Sequence, residues 1–118
     1  MEKIVKVDGK ELRMVANALI PRMYRNIYGS DIMLDMQELT NAFVDSTKND
    51  TPLPPKVLTI FENVAWCFLK QGGENVGANA DEWLASLDGL FSVYEALPQI
   101  LELWQLNLKT TAKPCREE

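Results

Sequence analysis

The side chains whose types could do chemistry are few: carboxylates, two cysteines and a glycine pair. Histidine is absent, which removes the commonest general base and the commonest metal ligand together. Asp31 and Asp35 stand four apart and Glu95 and Glu102 seven apart, so each pair can share a helix face. Paired carboxylates perform acid–base work when their surroundings push their pKa values apart. Neither pair is accompanied by a nucleophile or a metal partner, so both are read as solvated helix faces. Cys67 and Cys115 cannot build a zinc site without histidine partners. Cys67, between Trp66 and Phe68, reads as a small buried residue rather than a nucleophile. Gly72-Gly73 lacks the following lysine and the preceding strand of a phosphate loop. The expectation is a chain with no catalytic residue, no cofactor and no metal.

What remains is binding. Trp66 and Trp83 are expected in or beside the core. Trp104 lies in the most apolar stretch, residues 90–108, with two roles open to it. It can seal the core, or it can anchor a groove-binding face, where aromatic residues concentrate binding energy. The second role defines the candidate partner-binding set: Tyr94, Leu97, Leu101, Trp104, Leu108 and Lys109.

The elements that position these residues follow from turn chemistry and periodicity. Asp8-Gly9 is a two-residue turn between β-prone runs, predicting a hairpin over 3–14. It sets Val7 opposite Lys10, Lys6 opposite Glu11, Val5 opposite Leu12 and Ile4 opposite Arg13. Val5, Val7, Leu12 and Met14 then share one face, and Lys6 and Glu11 can form an ion pair on the other. Pro21 suits a first helical position and pushes Ile20 out of helical geometry, so a helix is predicted over 21–28, closed by Gly29. Ile32, Met36, Leu39 and Phe43 form one face of a helix predicted over 35–47. The proline-rich stretch 48–55 is a connector. A broad apolar stripe marks 55–71 as the central helix, ended by Gly72-Gly73. A short helix is expected over 80–88 and a last one over 92–107, with a Ser92–Glu95 capping box and a kink at Pro98 near Leu97. Residues 109–118 read as a loose tail. The fold class is mainly α with a small β element (α+β): an N-terminal hairpin and a bundle of about five helices in one domain, 1–108.

The totals agree. At 118 residues the chain has room for one core. A net charge of -5 argues against a nucleic-acid partner, which needs a dense basic surface. The charge is uneven: residues 1–25 carry six basic against three acidic side chains, and 26–108 carry three against twelve. Scattered surface charge of this kind ordinarily serves solubility alone; the asymmetry also permits head-to-tail self-association, so a homo-oligomer is one open state. The charged, strand-like N-terminus predicts no signal peptide. No run reaches the roughly 18 apolar residues of a membrane span. A reduced cytosolic protein is expected.

Several segments, in order, carry a resemblance. They are Pro21-Arg22-Met23-Tyr24-Arg25, Tyr28-Gly29-Ser30-Asp31-Ile32, the apolar 60–69, Glu82-Trp83-Leu84, and Tyr94-Glu95-Ala96-Leu97-Pro98-Gln99-Ile100-Leu101-Glu102-Leu103-Trp104. Together they resemble tail assembly chaperones of long-tailed phages and prophages of Gram-positive bacteria, similar in role to the G and GT proteins of lambda-like phages. The end, Lys113-Pro114-Cys115-Arg116-Glu117-Glu118, is less lysine-rich than that family's. The resemblance implies a non-enzymatic protein that keeps the tape-measure protein soluble and helps tail-tube protein assemble on it through a frameshift-extended form. It implies work in the host cytoplasm and absence from the mature virion. The alternative is a structural ring subunit at the head–tail joint, closed through the hairpin edges.

Overall fold

Asp8 and Gly9 both adopt positive φ, 57° and 77°, the requirement of the type I′ turn that matches strand twist. The computed structural model describes residues 1–89 and 92–105. The turn joins β1 (Glu2–Val7) and β2 (Lys10–Val15) as an antiparallel pair in the predicted register, from Val7 opposite Lys10 to Glu2 opposite Val15. Val5, Val7 and Met14 are fully buried and Leu12 partly so, while Ile4 on the other face is exposed. The ion pair on the polar face is Arg13 with Glu2 at 2.6 Å. It replaces the expected Lys6–Glu11 pair, because the long Arg13 side chain reaches diagonally across the ribbon.

The helix α1 (Leu19–Tyr28) starts earlier than predicted, and Ile20 is helical. Asn17 explains this. Its side-chain oxygen accepts the Leu19 amide at 3.1 Å and its carbonyl accepts the Ile20 amide at 3.1 Å. Pro21 then falls inside the first turn, where an amide would have no intrahelical acceptor, and Ile20 gains burial in the core. Gly29 closes the helix at φ 71°, its amide donating to the Arg25 carbonyl. Likewise α2 (Ile32–Asn49) begins before residue 35, since the Asp31 side chain accepts the Met33 amide at 2.8 Å as an N-cap.

The central helix α3 (Pro55–Gln71) has the predicted bounds, with Pro55 at its first position and Phe61, Val64, Ala65, Phe68 and Leu69 completely buried. It touches β2, α1, α2 and the short α4 (Ala80–Ala85). Asn79 caps α4 through the Glu82 amide at 2.9 Å. The helix stops short of residue 88 because the Ser86 hydroxyl and amide both bond the Trp83 carbonyl. The last helix is two pieces: a 3-10 turn (Ser92–Ala96) and α-helical residues 97–105, here α5. The expected kink is this change of helix type, with Pro98 in the first turn of α5. The end of the predicted 92–107 helix, the tail 109–118 and the Ser92 side chain lie outside the described residues.

Among the described residues the chain thus builds a two-stranded hairpin followed by five helices. One apolar core runs through it, with no polar or charged side chain fully buried among the described residues. No helix among these residues is long and apolar enough to cross a membrane.

Candidate functional site

The described α5 members of the candidate set pack inward. Leu97, Leu101 and Trp104 are 5, 9 and 5% exposed, and Ile100 and Leu103 beside them are completely enclosed. Tyr94 is half-buried, its ring stacked on Phe61 with centroids 6.1 Å apart. These side chains are core mass in this fold, because α5 is apolar on more than one face and lies over the interior. Leu108 and Lys109 lie outside the described residues. Trp66 and Trp83 are buried as expected, and the Trp66 indole donates to the Val76 carbonyl at 3.2 Å.

Polar contacts hold this last segment to the hairpin. The Asp8 amide donates to Glu95 Oε1 at 2.9 Å, the Asp88 amide donates to Asp8 Oδ2 at 3.1 Å, and Lys3 pairs with Glu102 at 2.7 Å. Glu95 and Glu102 therefore share a structural task, although not with each other. Asp31 and Asp35 are also engaged: Asp31 caps α2, and Asp35 Oδ2 accepts the Tyr24 hydroxyl at 2.8 Å.

Large apolar side chains are also exposed on earlier elements, among them Ile4 on the hairpin. Leu19, Ile27, Met33, Leu34 and Val44, all on α1 and α2, are between 47 and 65% exposed. Met33, Gln37, Asn41 and Val44 follow helical spacing along the outer face of α2. Where that face meets α5 it forms a recess of about 240 Å³, lined by Met33, Gln37, Thr40, Asn41, Trp104 and Gln105. Trp104 is thereby a core residue that also lines the recess. The lining carries no charged side chain. Its signal in sequence was the set of apolar residues left over once Ile32, Met36 and Leu39 had been assigned inward.

A second, larger cleft of about 430 Å³ opens where α1, α2 and α3 meet, and its lining includes Tyr24, Tyr28, Asp35, Lys56 and Asn63. Tyr24 and Tyr28 pack together with ring centroids 5.0 Å apart. Burial, reinforced by the hydrogen bond to Asp35, raises the Tyr24 pKa far above the ordinary tyrosine value. Burial raises that of Tyr28 as well, whose enclosed hydroxyl lies beside the Cys67 thiol, with the Asp81 charge nearby. Burial pushes the Cys67 thiol up to about 12, so it is neutral and a poor nucleophile at physiological pH. Glu62 is raised by burial and by the neighbouring Asp81 charge. Among the described residues no three His, Cys, Asp or Glu side chains are gathered to hold a metal ion.

No protein-family model, curated protein or solved structure matches this chain.

Proposed function

We propose that this protein is a non-enzymatic tail assembly chaperone that binds the tape-measure protein of a long-tailed phage or prophage and keeps it soluble. The carrying observation is the exposure of Met33, Leu34 and Val44 on α2, with Met33 also lining the recess that holds Trp104. Exposed apolar side chains that adjoin a recess suit a protein partner better than a small reactant. The ordered resemblance of 21–32, 60–69, 82–84 and 94–104 to tail assembly chaperones supplies the partner. A tape-measure protein is long and largely helical, and its apolar faces aggregate when uncovered. The outer face of α2, with its uncharged recess, is suited to cover such a helix through apolar anchors at helical spacing.

In this reading Asp31, Asp35, Glu95 and Glu102 serve structure, as a cap, an acceptor for Tyr24 and braces to the hairpin. An extended form made by frameshifting recruits tail-tube protein, and both forms act in the host cytoplasm and leave before the virion matures. The test is co-expression of the tape-measure protein with and without this chain. The expected outcome is a shift of the tape-measure protein from the pellet to the soluble fraction and its co-purification. Unchanged solubility with both the short and extended forms refutes the proposal.

A further inference from the structure

The cleft at the junction of α1, α2 and α3 has a charge and hydrogen-bonding pattern that the proposed function leaves unused. Asp35 is held at its wall by the Tyr24 hydroxyl, 2.8 Å from Oδ2. Tyr24 is itself 1% exposed, so it fixes the carboxylate from the core side. Among the described residues no donor reaches Asp35 Oδ1, so one oxygen of a positioned carboxylate is uncommitted in the lining of a cleft of about 430 Å³. Ser30 and Asn63 line the same space with a hydroxyl and a primary amide, each able to accept a hydrogen bond.

The balance of charge is negative. Lys56 is on the rim with a side chain 73% exposed, and it pairs with Glu38 at 3.3 Å. Asp35, Glu38 and Lys56 together therefore leave one uncompensated negative charge. The surrounding body, residues 26–108, carries twelve acidic against three basic side chains. A fixed carboxylate oxygen with a neighbouring hydroxyl and amide suits a planar, delocalised cation with several N–H donors. A guanidinium meets that description better than a compact ammonium, which offers a point charge and stronger hydration.

We infer that this cleft is a receptor for an arginine side chain displayed by a protein partner, with Asp35 as its charged acceptor. The inference does not depend on the chaperone reading, because it concerns a different surface and is tested with a small probe.

The experiment is a two-dimensional NMR titration of the whole chain with Nα-acetyl-arginine methylamide, and in parallel with the uncharged citrulline analogue. Saturable shifts at Ser30, Asp35 and Asn63 with the arginine probe, and not with citrulline, are expected. Asp35→Asn keeps an acceptor for the Tyr24 hydroxyl and should weaken binding about tenfold, the loss of one charge-assisted contact. Lys56→Gln, at an exposed position, removes the nearest competing cation and should tighten binding severalfold. Equal response to citrulline overturns the inference. So does an absence of saturable shifts, or an affinity that Lys56→Gln leaves unchanged or lowers.

Discussion

A methyl group placed on Gly72 would lie 2.1 Å from the carbonyl oxygen of Arg13. The end of the central helix and the second hairpin strand therefore meet backbone to backbone, with no space for a Cβ. The contact is reinforced by the Arg13 amide, which donates to Glu74 Oε2 at 2.7 Å, and by the Arg13 guanidinium, which donates to the Gly72 carbonyl at 3.3 Å. The Glu74 carboxylate thus takes an amide that an edge strand would otherwise present to solvent or to another chain.

Gly72→Ala should be costly even though Gly72 has an ordinary helical φ of -76°. The cost is steric and falls on two backbones that cannot rotate away, so a loss of about 3 kcal/mol is expected. Gly73 is the control. It has φ 86° and open space around its Cβ position, so Gly73→Ala should lose only about 1 kcal/mol, from the left-handed backbone alone. Denaturant unfolding of both variants checks the order; equal losses would contradict the close approach.

The brace between hairpin tip and last helix makes a separate prediction. Glu95→Ala removes the acceptor of the Asp8 amide, an exposed contact, and should cost about 1 kcal/mol. Glu95→Gln keeps an acceptor oxygen and should cost less. Hydrogen exchange at the Asp8 amide should quicken in Glu95→Ala, and unchanged exchange would show that the bond does not form in solution.

Alkaline pH should destabilise the protein through its buried tyrosines and thiol. The folded pKa of Cys67 is raised from 9.0 to about 12, and those of Tyr24 and Tyr28 are raised from 10.0. Raised folded values mean that the unfolded chain releases these protons first. The stabilisation is thus complete below pH 9 and is lost as pH climbs above 9 and then above 10. Melting temperatures between pH 7 and 11 should fall along that course, more gently in Tyr24→Phe. Native Cys67 should resist thiol reagents at pH 8 until the protein is unfolded.

What was legible in the sequence was local. Asp8-Gly9 announced both the turn and the register, because a type I′ turn has few alternative sequences. Pro55, the apolar stripe and Gly72-Gly73 marked α3 at both ends. The misses have two physical origins. The helix starts at Leu19 and Ile32 depend on local side-chain acceptors, Asn17 for the Leu19 amide and Asp31 for the Met33 amide, and at the first of them Pro21 is the more visible signal. The partners of Glu95 and Glu74 lie 87 and 61 residues away in sequence, a distance that periodicity does not span. Leu97, Leu101 and Trp104 shared their apolar character with the core, so composition could not separate anchor from interior. Met33, Leu34 and Val44 were the better clue to a surface, since an α2 face already supplied with inward residues had no packing need for them.

That clue supports the decisive separation of stability from binding. Trp104→Ala removes a side chain 5% exposed from among enclosed Ile100 and Leu103, and should cost about 3–5 kcal/mol by leaving a cavity. Loss of partner binding in that variant would therefore say little about the interface. Met33→Ser, Leu34→Ser and Val44→Ser alter exposed positions, and each should change stability by less than about 0.5 kcal/mol. If the outer face of α2 covers a helical partner, the triple variant should melt near the parent temperature and yet fail to keep the tape-measure protein soluble. If the triple variant still solubilises the partner, the binding surface is elsewhere. Binding through Tyr94, Leu97 and Leu101 would then require α5 and the 3-10 turn before it to leave the core, breaking the Lys3–Glu102 and Asp8–Glu95 contacts, and faster hydrogen exchange across residues 94–105 on partner binding would reveal it.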